Sequence, residues 1–93
     1  MNKNKLRLAR NKVDQIDQKI FSLIKKRTQL VKYMLSLKKL KKEIIDHKRN
    51  SDIFKKIRNK SIKNSIDPRI TKRIWGAMIW SFVDYQKRNF KKK

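Results

Sequence analysis

The chain has 93 residues, with Lys and Arg numbering 29 against 7 Asp and Glu, a formal net charge of +22 at pH 7. That length holds one small domain, here residues 1–93, with no room for a second core. The absence of cysteine excludes disulfides, thiolate catalysis and thiolate metal sites together.

The charge points to anionic partners: nucleic acid, an acidic membrane surface or small multiply charged acids. AT-rich codons oversupply Lys, Asn and Ile, so part of the excess is a solvated background. No apolar run approaches the roughly 18 residues of a membrane span, and "MNKNKLRLARNK" lacks the apolar stretch of a signal peptide. A soluble cytoplasmic protein is expected.

Gly76 is the only glycine and Pro68 the only proline, and nothing alternates with period two, so the fold class expected is all-α. From Leu6 the apolar positions Ala9, Val13, Ile16, Ile20, Leu23, Ile24, Leu30, Val31 and Met34 recur at three- and four-residue steps, as one helix face requires. No stop signal precedes about Lys41. A helix over residues 5–41 would be roughly 55 Å long, whereas a compact chain of this size has a radius of gyration near 12 Å. The predicted cover for the overshooting stripe is a second copy, giving an intertwined homodimer. Two shorter helices in a monomeric bundle are the competing arrangement.

Asp46 is placed to cap a second helix from His47 to about Ser61, whose Ile53, Phe54 and Ile57 share a face. In "KNSIDPRI", Asp67 can cap and Pro68 suits the first helical position, where its missing N–H costs nothing. The third helix is predicted from Pro68 to about Phe90, with a stripe of Ile70, Ile74, Met78, Phe82 and Gln86 and with Trp75 and Ile79 alongside. The basic ends, residues 1–5 and 89–93, are expected to fray. Between the first two helices "KKLKKEIIDHK" has neither Gly nor Pro, so pattern alone also permits a continuous helix.

Advancing 100° per residue from Val13 puts Arg27 and Lys38 inside the apolar arc of the first helix and Arg10 at its edge. Burying an unpaired cation costs several kcal/mol, so such residues must snorkel out, meet carboxylates or line a pocket for an anion. Asp14, Asp17 and Glu43 can serve few of them. Arg49 lies one turn before Ile53, and Gln86 continues the Phe82 stripe. For any one of these five polar groups a snorkel or ion pair suffices; for all five together an anion pocket explains more.

Other chemistry has little support. His47 is the only histidine, and without cysteine it makes no metal site. The serines lack a histidine base at a recognisable spacing, so a hydrolytic triad is not expected. Trp75, Trp80, Phe82, Tyr85 and Phe90 could stack on bases, and "KKLKK" could touch phosphates, but helical spacing and a solvated turn account for them. A basic helical nucleic-acid binder is the remote alternative.

"LARNKVDQIDQKIFSLIKKRTQLVKYMLSLKK" resembles the first helix of the all-helical, type II chorismate mutases: an Arg, an Ile-Asp-x-x-Asp-like stretch, a Leu-rich turn, an Arg, and a Lys eleven residues later. The likeness continues through "DHKRN" and "IDPRITKRIWGAMIWSFVDYQ", from about Leu6 to Arg88. It implies three-helix chains intertwined as a dimer, with each pocket borrowing an arginine from the other subunit. Arg10 would be that borrowed residue, Arg27 would bind a substrate carboxylate, and Lys38 would contact a carboxylate and the ether oxygen. Asp46 and Arg49 would shape the pocket, and Gln86 would donate to the ether oxygen. The implied reaction is the rearrangement of chorismate to prephenate, without metal or cofactor.

Two positions depart from the family pattern. Asn50 stands where a Glu usually binds the substrate hydroxyl, and Phe82 stands where a Ser is usual. The related isochorismate pyruvate lyases are similar in having an aromatic at the second place and no Glu at the first, so lyase or mixed activity is the alternative.

Overall fold

A computed structural model describes residues 2–91 and shows three α-helices with no strand among them. Helix α1 spans Lys3–Leu37, a single 3-10 turn spans Lys41–Glu43, α2 spans His47–Lys63 and α3 spans Pro68–Asn89. Residues 3–5, expected to fray, are helical, because the Asn2 side chain accepts the Lys5 N–H at 3.0 Å and satisfies an otherwise orphaned first-turn donor. Met1, Lys92 and Lys93 lie outside the described residues.

The first helix stops at Leu37 rather than near Lys41, a correction to the boundary. Lys38 takes extended backbone angles, φ −81° and ψ 131°, while its N–H still closes onto the Leu35 carbonyl. No local breaker causes this stop. The reason is tertiary: leaving the helix lets the chain fold back through the 3-10 turn and bury Ile44, which is 5% exposed. Continuing the helix would leave that side chain in water, at a cost of roughly 2 kcal/mol.

Caps set the other boundaries. Asp46 Oδ1 accepts the Arg49 N–H at 2.9 Å at the start of α2, and Asp67 Oδ1 accepts the Arg69 N–H at 2.9 Å before Pro68. Helix α2 ends in a Schellman arrangement, with Ile66 N–H on the Ser61 carbonyl at 2.9 Å and Ser65 N–H on the Ile62 carbonyl at 3.3 Å. This requires the left-handed region at Ser65, whose φ is 58°.

Helices α2 and α3 form an antiparallel pair, and the last third of α1 lies against α3. The core is small: Val31, Ile44, Ile79 and Val83 are its buried apolar residues. On α3 the buried residues are Ile79, Val83 and Gln86: Gln86 is on the predicted stripe and Ile79 alongside it, but Ile70 and Ile74 are 54% and 53% exposed and Val83 is buried instead. Ser61 is buried between α2 and α3, where its hydroxyl meets both the Ile57 carbonyl and the Thr71 hydroxyl.

Every residue from Arg7 to Lys26 is exposed, so most of α1 projects beyond the other helices. The chain measures 59 × 25 × 15 Å with a radius of gyration of 17.2 Å. Its surface is 8443 Å², against about 5,800 Å² for a compact protein of the same mass. Val13, Ile16, Ile20 and Ile24 carry part of the excess, each 42–54% exposed.

Candidate active site

Three elements converge where α1 ends. The end of α1 brings Arg27 and Val31, the extended residue after it brings Lys38, the start of α2 brings Arg49 and Asn50, and α3 brings Phe82 and Gln86. Between them is a cavity of about 290 Å³. Asp46 and Glu43 stand at its rim, and both are exposed. Of the eight residues singled out in the sequence, seven line this one cavity; Arg10 does not, lying exposed on the projecting part of α1.

Gln86 is the organising polar group. It is 7% exposed, and its Oε1 accepts from Lys38 Nζ at 2.7 Å while its Nε2 donates to the Phe82 carbonyl at 3.2 Å. The opposite amide orientation would set an NH2 against an ammonium, so this network fixes which end faces Lys38. One Nε2 hydrogen and two Nζ hydrogens remain unused by these bonds, all beside the same space. Lys38 reaches this position from outside the helix, so its inward direction comes from the extended backbone and not from the helical arc.

Arg27 is half-buried and lies with its guanidinium carbon 4.9 Å from the centroid of the Phe82 ring. Burial pushes its pKa below the ordinary arginine value, and the neighbouring Arg49 pushes the same way. Burial also lowers the pKa of Lys38, opposed by the carboxylates of Glu43 and Asp46.

Among the described residues the pocket's cations have no ion-pair partner. Among the described residues the ion pairs are Arg69 with Asp67 and Arg88 with Asp84, both exposed and both elsewhere. Asp46 is occupied in capping α2 through Oδ1, and Asp14 and Asp17 sit on the projecting part of α1. Arg27, Lys38 and Arg49 thus gather around a half-enclosed space with their charge incompletely offset. Such an arrangement favours a compact ligand carrying more than one negative charge.

From the sequence Glu43 is one of three acids able to serve few of the inward cations. It belongs to this site as the carboxylate that acts most strongly on Lys38. Its neighbour Ile44, an apolar residue inside a basic linker, was the available sign that the linker folds inward. No group of three or more His, Cys, Asp or Glu capable of holding a metal ion occurs among the described residues. No helix there is long and apolar enough to cross a membrane.

An all-α domain with preorganised cationic and amide donors around a small anion-sized cavity defines the class of site. The model of the chorismate mutase type II family matches residues 9–87, and the chain belongs to that family. No curated protein and no solved structure matches it significantly.

Proposed function

We propose that the protein is a chorismate mutase, converting chorismate to prephenate. The observation that carries this reading is the Lys38–Gln86 pair, bonded at 2.7 Å, facing a cavity that also holds Arg27 and Arg49. The reaction is an intramolecular rearrangement in which the ether carbon–oxygen bond breaks as a new carbon–carbon bond forms. No nucleophile, proton acceptor, metal or cofactor is needed.

Negative charge grows on the ether oxygen as its bond to carbon lengthens. A free Nζ hydrogen of Lys38 and the free Nε2 hydrogen of Gln86 stabilise that charge more in the transition state than in the ground state. Because the pair is already bonded and Gln86 is anchored to the Phe82 carbonyl, little reorganisation is required. Arg27 and Lys38 hold carboxylates, restraining the flexible substrate in the compact conformer that brings the reacting carbons together. Asn50 takes the place of the usual glutamate toward the substrate hydroxyl.

The pocket is completed in this reading by Arg10 of a second copy. The excess surface and the exposed stripe of Val13, Ile16, Ile20 and Ile24 support an intertwined homodimer, since a lone chain leaves them in water. No nucleic acid or membrane partner enters the proposal, and the cytoplasm is the proposed location.

A second reading, isochorismate pyruvate lyase, is favoured by one feature: Phe82 gives the pocket an apolar wall where a hydroxyl is usual. It uses the same cations on a similar dicarboxylate. The test is incubation with chorismate and isochorismate separately, following prephenate in one case and salicylate plus pyruvate in the other. Prephenate alone supports the mutase, salicylate with pyruvate replaces it by the lyase, and neither product overturns both. Lys38→Ala should raise the barrier by on the order of 3 kcal/mol while leaving the far-ultraviolet circular dichroism unchanged.

A further inference from the structure

We propose that Phe82 is a positioning residue: its ring holds the Arg27 guanidinium, leaving that cation oriented and unneutralised for an incoming carboxylate. The inference rests on the reading of the cavity as a dicarboxylate site. The Arg27 guanidinium carbon lies 4.9 Å from the ring centroid, inside the roughly 6 Å over which an aromatic quadrupole attracts a cation. All five guanidinium donors lie in its plane, at its edge. The ring therefore attracts the cation through its quadrupole and has no acceptor atom that would consume a donor.

The alternatives would each consume something. A protein carboxylate would orient Arg27 but occupy its fork and cancel its charge. A hydroxyl at this position would take an edge donor. Arg27 has no carboxylate within ion-pair distance among the described residues, and nearby Arg49 repels it. Among the described residues the Phe82 ring is the aromatic group that this cation meets.

Phe82 also serves the second arm of the site, but through its backbone. Its carbonyl accepts the Gln86 Nε2–H at 3.2 Å, a bond that no side-chain substitution removes. Changing the ring thus separates the two arms: Arg27 loses its platform, while Lys38 and Gln86 keep their geometry. Arg27 grips a carboxylate whose charge does not change during the reaction, and the compact conformer it holds is common to the bound substrate and the transition state, so the loss falls on binding of both alike.

The experiment compares Phe82→Leu and Phe82→Tyr with the wild type in the full-length protein. Phe82→Leu keeps an apolar side chain but removes the quadrupole, and should raise KM roughly 2- to 30-fold with kcat nearly unchanged. Phe82→Tyr keeps the ring and should restore KM. Independently of turnover, the Arg27 Nε–Hε resonance should be displaced by ring current in the wild type and in Phe82→Tyr, and should lose that displacement in Phe82→Leu. An active wild type whose leucine variant keeps its KM, or loses kcat instead, overturns this inference and spares the functional reading. An unchanged Arg27 resonance in a folded leucine variant also overturns it. A wild type inactive on both substrates overturns the functional reading first, and with it the role assigned here.

Discussion

Lys38 and Glu43 illustrate how much one side chain's environment decides. Lys38 must be protonated to donate, yet burial lowers its pKa, and the carboxylates of Glu43 and Asp46 act against that fall. Removing the Glu43 charge takes away an attraction that favours the ammonium, so the pKa of Lys38 should fall further. In Glu43→Gln the alkaline limb of kcat/KM is therefore expected at lower pH than in the wild type, as a pH–rate profile of the free enzyme would record. A limb that stays in place, or moves upward, would remove Glu43 from this role. Asp46→Asn is a poorer probe, because Asp46 also caps α2. At this scale Arg27 was legible as a cation on an apolar arc, whereas Lys38, set on the same arc by the sequence, turns inward from extended backbone beyond the helix. The role of Glu43 was not legible, because an exposed acid in a basic linker carries no local sign of its neighbours.

Helix ends are where local chemistry and packing can be compared directly. Both Asp caps and the Pro68 start follow from a few adjacent residues, and they stand where the sequence places them. The turn after α2 carries a cost: Ser65 adopts φ 58°, a conformation for which a residue with a Cβ is poorly suited. Ser65→Gly should stabilise the fold by about 0.5–1 kcal/mol. Conversely, Gly76 lies inside α3 with ordinary backbone angles, and a Cβ there would meet Phe54 at 4.0 Å, a normal contact. Gly76→Ala should therefore also stabilise, by about 0.5–1 kcal/mol. Urea unfolding checks both; destabilisation by Gly76→Ala would mean that the α2–α3 approach is tighter than this geometry, and destabilisation by Ser65→Gly that the serine side chain contributes more than its left-handed angle costs. The stop of α1 at Leu37 had no such local signature, and only the burial of Ile44 accounts for it.

The whole molecule is dominated by a helix that leaves its own globule. Residues 7–26 are all exposed, and Arg10 sits among them, far from the cavity of its own chain. If the partner's arginine completes each pocket, two inactive variants can repair each other. Mixing Arg10→Ala with Lys38→Ala and allowing subunits to exchange should restore roughly a quarter of wild-type activity, since half of randomly paired dimers then hold one intact pocket of two. No recovery, with exchange verified by mass, would rule out a shared site. Ionic strength separates the remote alternative: a nucleic-acid binder loses affinity steeply with salt through counterion release, whereas a half-enclosed dicarboxylate pocket should respond weakly.

The amino-acid order by itself determined the helical class, both aspartate caps and the set of polar groups set apart on apolar stripes, because periodicity and capping act within a turn or two of chain; the break between the first two helices it left open. It also carried the family's spacing from Arg10 through Arg27 to Lys38. Tertiary structure alone decided that α1 ends before Lys38, that Val83 rather than Ile70 and Ile74 faces inward, and that Phe82 lies under Arg27. It also brought Lys38 to Gln86 across 48 positions of sequence. Those outcomes depend on which surfaces bury together, a balance struck between distant elements that no short stretch of chain contains.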